Sequence, residues 1–218
     1  MLLWICLILI FPFVLIFFPT KIYGKKYLKK TKKNATILAS NHQSNNDVII
    51  LKARVCPNAK IMSKDTLFKN KFGGFFLKKF GAYPVNRGGN DIVAIKNTLK
   101  ILKNNKQLLL FPEGTRMKNA DEINVKNGLS LFAIKTDCYV VPMCFRKNTM
   151  PFVFNKLLIG KPFKFSEYAE IEAGKTDKET LEKASNILQE KMNHLKSINI
   201  KDYKKEYKEY KKSSKNSN

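Results

Sequence analysis

Arginine is scarce in this chain. Of the 41 basic residues among 218, only Arg54, Arg87, Arg116 and Arg146 are arginine. Where lysine is the default, an arginine marks a demand for a planar, two-pronged donor. Arg87 and Arg116 fit that demand, whereas Arg54 and Arg146 read as surface residues without a task. Histidine is scarcer still, with two copies, His42 and His194. The four cysteines, Cys6, Cys56, Cys138 and Cys144, form no CxxC pair, and neither histidine lies near a cysteine pair. That argues against a zinc site and against a small disulfide framework, and leads us to expect free thiols in a reducing compartment. The stretch Gly128-Leu129-Ser130-Leu131-Phe132 lacks the second glycine of a G-x-S-x-G elbow. Acidic residues number 17, leaving a net charge of +24. Such a charge predicts an anionic partner: nucleic acid, phospholipid headgroups or an acidic carrier protein. Charge alone does not choose among them, because lysine and asparagine abound throughout.

What is present begins with residues 1–19, MLLWICLILIFPFVLIFFP, which contain no charged side chain. As a helix this run would reach roughly 28 Å, close to the hydrocarbon thickness of a bilayer. Seven lysines follow between Lys21 and Lys33. A signal peptide would put the positive charge first and a small-residue cleavage site last, and neither occurs. The reading is therefore a membrane anchor over 1–20, spanning or lying shallowly in one leaflet. The lysines hold the rest of the chain on the cytoplasmic side.

From about residue 34 short apolar runs alternate with amphipathic ones. Strands are expected at Thr36–Ala39, Gly81–Val85, Gln107–Phe111, Tyr139–Phe145 and Lys156–Ile159. Helices are expected at Asp47–Arg54, Asp91–Lys103, Gly128–Lys135 and Glu179–Lys196, the last opened by a Thr176/Glu179 capping box. This interleaving predicts an α/β fold, a single layered domain over 21–200 with a mixed central sheet flanked by helices. Residues 201–218, KDYKKEYKEYKKSSKNSN, hold too few aliphatics to form a core and read as a basic, flexible tail.

Three polar blocks interrupt the pattern. The first, Asn41-His42-Gln43-Ser44-Asn45-Asn46-Asp47, lies between two apolar runs. Five residues along one helix turn the side chains about 500° apart, so His42 and Asp47 meet only if His42 precedes the helix and Asp47 occupies its first turn. Ser44 or Asn45 would cap it. The carboxylate would then orient one imidazole nitrogen and leave the other as a base. A plain capped turn accounts for the same residues. The second block, Phe111-Pro112-Glu113-Gly114-Thr115-Arg116, follows a buried strand, where functional groups of α/β proteins gather. Its glycine, hydroxyl and arginine suit an anion. The third, Gly81 to Gly89, again carries an arginine, Arg87, just beyond a strand. The plainer reading of the second block is a Pro/Gly turn in which Glu113 and Arg116 pair with each other, and of the third a loop with one exposed cation.

Taken in order, the blocks resemble those of the 1-acylglycerol-3-phosphate acyltransferase family, also called lysophosphatidic acid acyltransferases. The N-H-x-S-x-x-D block is matched by Asn41, His42, Ser44 and Asp47, and F-P-E-G-T-R by Phe111 to Arg116. The middle block departs from the family pattern: Asn86 stands where an acidic residue usually precedes the arginine. Val141-Pro142 matches a short V-P block, Lys126-Asn127-Gly128 a basic-plus-glycine stretch, and Lys64 a lysine near the acceptor site. The resemblance covers about residues 30–165. It implies transfer of an acyl group from a thioester, acyl-CoA or acyl carrier protein, to the sn-2 hydroxyl of lysophosphatidate. His42 would be the base and Asp47 its partner. Arg87 and Arg116 would hold the acceptor's phosphate, Glu113 would orient an arginine or the glycerol, Gly114 and Thr115 would shape the anion pocket, and Lys64 would complete the substrate site. The chemistry needs no metal or cofactor. Membrane phospholipids are the expected surroundings, and nucleic acid is not an expected partner. A sister enzyme using another lysophospholipid or an aminolipid has the same blocks. A non-enzymatic, membrane-tethered basic protein explains the charge but not the placing of His42, Arg87 and Arg116.

Overall fold

Thr36-Ile37-Leu38-Ala39-Ser40 is buried at every position, as expected of a strand covered on both faces, where a continuous apolar run replaces alternation. It is β2, and it lies at the centre of a seven-stranded sheet. The computed structural model describes residues 12–29, 31–86, 91–117, 122–172 and 174–216. The strands are β1 (Thr20–Tyr23), β2 (Thr36–Ser40), β3 (Lys60–Lys64), β4 (Ala82–Val85), β5 (Gln107–Leu110), β6 (Tyr139–Phe145) and β7 (Asn155–Ile159). Their order is β1-β7-β6-β2-β5-β3-β4. Strands β2 to β6 run parallel, and β7 reverses against β6, with β1 parallel to β7. The α/β class and the mixed sheet are as expected. Strands β1 and β3 went unanticipated because Lys21, Lys60 and Lys64 break up their apolar pattern.

The helices are α1 (Asn45–Arg54), α2 (Lys71–Lys79), α3 (Ile92–Lys103), α4 (Asn127–Thr136), α5 (Lys178–Ser197) and α6 (Ile200–Asn216). Helix α5 begins one residue later than its expected capping box requires. Asp177, not Thr176, is the N-cap, accepting from Thr180 N at 2.9 Å. Its Ala184, Leu188, Met192 and Leu195 are buried at helical spacing, and α5 lies against α4 and β6. Arg146, expected to be idle, donates through Nη1 to the carbonyls of Leu195 and Ile198 at 3.0 and 2.8 Å. It thereby satisfies the open carbonyls at the end of α5.

The expectation about the C-terminus changes. Residues 201–218 are not a flexible tail as far as they are described: α6 runs to Asn216, with Tyr203 buried and Tyr207 and Tyr210 against Tyr27. Of the apolar run at the N-terminus, residues 1–11 lie outside the described residues. Residues 12–17 are helical, with Val14 buried in the core. Among the described residues, no helix is long and apolar enough to cross a membrane.

At the foot of α1, Lys52 is buried and donates to the carbonyls of Pro57 and Ala59 at 2.6 and 2.7 Å. Burial is the main force pulling its pKa down to about 8, with Lys60 adding to it. Between that value and the ordinary lysine value of about 10.4 the unfolded chain holds more protons, so this group's contribution favours folding as pH rises. The stability of the protein relative to Lys52→Met should accordingly improve from about pH 8 to about pH 10. Urea unfolding of both proteins across that range checks it.

Candidate active site

Because β2 to β6 are parallel, their carboxyl ends share one edge, and the polar blocks emerge there. Asn41 is the first residue beyond β2. Its amide Nδ2 donates to Phe145 O at 3.0 Å, and Phe145 N–H donates to its Oδ1 at 2.8 Å. The side chain thus extends the β2–β6 ladder and fixes where the next residue leaves the sheet.

That residue is His42, and it precedes α1. Asp47 sits in the first turn of α1 behind the N-cap Ser44. His42 Nδ1 lies 3.1 Å from Asp47 Oδ2, with the carboxylate fully buried and the ring 13% exposed. The same Oδ2 accepts the backbone N–H groups of Gln43 and Ser44, each at 2.7 Å. One carboxylate therefore closes the capping box and orients the imidazole. The ring stacks on Phe111, centroids 4.0 Å apart at 22°. Backbone bonds hold it from both sides: His42 N–H donates to Glu113 Oε2 at 2.8 Å, and Met117 N–H donates to His42 O at 2.9 Å. The imidazole is immobilised with Nε2 left for a reacting group.

Glu113 was expected to orient an arginine or the glycerol. It is buried and turned to the His42 backbone, and it forms no ion pair with Arg116. Burial pushes its pKa up, opposed by the His42 N–H. Gly114 adopts a left-handed φ of +72° and closes the turn with its N–H to Phe111 O at 3.0 Å. A Cβ there would sit 3.5 Å from Lys126 Nζ, so Lys126 lies against this loop. Thr115 and Arg116 are exposed, and Arg116 Nη1 donates to Asn45 Oδ1 at 3.2 Å. Lys64, the last residue of β3, is paired with Val85 and exposed at the same edge. Its strand is two places from β2, about 10 Å at the usual strand spacing. Arg87 lies outside the described residues, but the segment carrying it is bracketed. Asp91 caps α3 through Ala94 N–H and also accepts Asn86 N–H, both at 2.8 Å. Those backbone bonds hold Asp91 below the usual carboxylate range.

Sequence reasoning missed Thr149. It lies in the loop after β6, is buried, and donates its hydroxyl to Asp47 Oδ1. Its carbonyl accepts from Asn46 Nδ2 at 3.0 Å. Nothing local marks it, since its partners are more than 100 residues away. Thr149→Val should lower kcat roughly ten-fold, the worth of one hydrogen bond to a charged group. Thr149→Ser, which keeps the hydroxyl, should restore the rate, as initial rates of the three proteins will show.

Other nucleophiles are engaged elsewhere. Ser44 Oγ accepts Asn46 N–H at 3.2 Å as part of the cap. Ser130 is buried between α4 and α5 against Ser185 at 2.8 Å. Cys56, Cys138 and Cys144 are buried free thiols. Burial pushes them up to about 12, 11 and 12, far from a reactive thiolate. The Val141-Pro142 block lies inside β6.

The acyltransferase family profile matches residues 19–146. The 1-acyl-sn-glycerol-3-phosphate acyltransferase of Bacillus subtilis is 31% identical over 162 residues, 69% of this chain and 77% of that protein. The chloroplastic enzyme of the same name from Arabidopsis thaliana, LPAT1, is 31% identical over 129 residues, covering 58% of this chain and 36% of that protein. The crystal structure of the 1-acyl-sn-glycerophosphate acyltransferase PlsC from Thermotoga maritima shares the fold, with a TM-score of 0.63 at 20% identity over 82% of this chain and 73% of that one. Three motif blocks in order, a histidine–aspartate dyad at the carboxyl edge of the sheet and these matches together place the chain in the acyltransferase family, among the 1-acyl-sn-glycerol-3-phosphate acyltransferases.

Proposed function

We propose that the protein transfers a fatty acyl group from an acyl thioester to the sn-2 hydroxyl of lysophosphatidate, forming phosphatidate for phospholipid synthesis at a membrane surface. The observation that carries this reading is the dyad: His42, fixed through Nδ1 by Asp47 at 3.1 Å, beside a loop bearing Arg116. In the reaction His42 Nε2 takes the proton of the acceptor hydroxyl as its oxygen attacks the thioester carbonyl. Asp47 stabilises the imidazolium. The C–S bond breaks, and the imidazolium returns the proton to the departing thiolate. Arg116 and Arg87 hold the acceptor's phosphate, the guanidinium fork matching two phosphate oxygens. Lys64 adds positive charge from β3, and Thr115 a hydroxyl. Glu113 and Gly114 shape the loop.

The surroundings of the site support work at a lipid surface. The loop from β6 to β7 exposes Met150, Phe152 and Phe154, and Phe152 meets Phe17 at 5.0 Å beside the exposed Phe13 and Ile16. Across the same edge Leu67, Phe72 and Phe75 are exposed. An apolar rim of this kind, among many lysines, suits anionic headgroups and the acyl chains beneath them. The donor is acyl-CoA or acyl carrier protein.

Radiolabelled acyl transfer by the purified chain on vesicles, with either donor, tests the reading across lysophosphatidate, lysophosphatidylcholine and an aminolipid acceptor. Labelled phosphatidate is the expected product. Label in another acceptor alone would give the acceptor role to a sister lipid, and no transfer with either donor would end the proposal. Arg116→Ala should raise the acceptor KM at least ten-fold while leaving the donor KM near its wild-type value. Initial rates with each substrate varied in turn make the comparison.

A further inference from the structure

The arginine left without a task, Arg54, ends α1 at the sheet edge opposite the dyad. It opens onto a cavity of about 670 Å³ between the first residues of β3 and β5, Lys60 and Gln107, and the chain around Leu28 and Val55. Among the described residues six cations line it, Arg54 with Lys25, Lys29, Lys32, Lys60 and Lys106, and no carboxylate does. This is more than the chain's general lysine excess. The cleft between α5 and α6 sets Glu190, Glu206 and Glu209 among its lysines. In the Arg54 cavity the positive charge is uncompensated. Arg54 Nη1 is buried and makes no hydrogen bond. Burial lowers the pKa of Arg54, and burial together with the Arg54 charge lowers that of Lys25. A buried guanidinium donor without an acceptor, ringed by like charges, is the state that an anion with several oxygens relieves.

We propose that this cavity is a second binding site, for a soluble anion bearing more than one phosphate group, separate from the catalytic face. The guanidinium fork engages one phosphate. The ammonium groups spread across the mouth reach a second, and the Leu28 and Val55 side accommodates a less polar part. A soluble ligand follows from position. Helix α1 has ten residues, about 15 Å at helical rise, and runs from the dyad to Arg54. The apolar rim is at the dyad's end, so the cavity opens away from the surface that suits lipid.

Calorimetric titration of the full chain with inorganic pyrophosphate, at constant ionic strength, tests this. Saturable one-to-one binding is expected, weakened at least ten-fold by Arg54→Gln and by Lys60→Gln. Lys96→Gln, an exposed lysine outside the cavity, and Arg116→Ala, in the catalytic loop, should leave it unchanged. If Arg54→Gln fails to fold, Lys60→Gln and Lys106→Gln carry the test. Binding that survives these changes but is lost in Arg116→Ala would put the anion at the catalytic face and overturn the proposal. So would the absence of saturable binding, or loss of pyrophosphate binding on adding vesicles of anionic phospholipid, which would assign the site to headgroups. Acyl transfer by Arg54→Gln without added anion should match the wild type, and binding is read whether or not the acceptor is lysophosphatidate.

Discussion

Alanine at His42 should lower kcat for acyl transfer by roughly 10²- to 10⁴-fold, the range over which a positioned base contributes, with the protein still folded. The loss is large because so much structure is committed to this one ring. Asp47 fixes its Nδ1, Phe111 fixes its plane, and Glu113 and Met117 fix its backbone. A secondary alcohol does not ionise near neutral pH, so without Nε2 no described group at that position can take its proton. Folding survives because the backbone bonds to Glu113 and Met117 do not involve the imidazole, and the ring is only partly buried. Asp47→Ala should behave differently. It removes the acceptor for Gln43 N–H, Ser44 N–H and the Thr149 hydroxyl, and so loses stability as well as rate. Initial rates alongside urea unfolding separate the two cases. Full activity in His42→Ala would refute the mechanism, and a covalent acyl-enzyme trapped by rapid quench would replace the base with a nucleophile.

The dyad was legible in the sequence because its chemistry is local. A histidine and a carboxylate five residues apart across a cap leave only one way to meet, and Ser44 marks where the helix begins. The strands bearing the blocks were legible because buried parallel strands are continuous apolar runs, as in Gln107-Leu108-Leu109-Leu110. What stayed hidden is what the fold brings from afar. Thr149 reaches Asp47, Phe145 clasps Asn41 and Glu113 reaches the His42 backbone, each at a separation no spacing rule covers. Glu113 misled for a related reason. Beside an arginine in a short loop, a carboxylate looks like its ion partner, whereas burial turns it inward to the nearest N–H. Arg54 and Arg146 looked alike as stray cations. Only the fold distinguishes a guanidinium that closes the end of α5 from one left without an acceptor.

The C-terminal segment gives the second large effect: Tyr203→Ala should destabilise the protein by roughly 3–5 kcal/mol, the usual cost of truncating a buried aromatic. Composition suggested a solvated tail, since residues 201–218 contain no aliphatic side chain larger than those of their lysines. Tyrosines at 203, 207 and 210 supply the missing face, because three- and four-residue spacing puts them on one side of α6. Tyr203 is 2% exposed and donates its hydroxyl to Ile159 O at 2.6 Å. Gly24, at φ +82°, makes that approach possible, since a Cβ there would collide with the Tyr203 hydroxyl. Tyr207 and Tyr210 meet Tyr27 with centroids 5.0 and 4.4 Å apart. Aromatic pairing of this kind adds to area burial, so α6 clamps the ends of β1 and β7 rather than trailing in solvent. For a chain of this size, 3–5 kcal/mol corresponds to a fall in Tm of roughly 10 °C. Tyr203→Phe should lose only about 1 kcal/mol, for the hydroxyl bond to Ile159. Because α6 packs at the sheet edge away from the dyad, kcat at low temperature should be unchanged in both variants while their unfolding midpoints separate. A Tyr203→Ala protein as stable as the wild type would return the segment to the status of a tail.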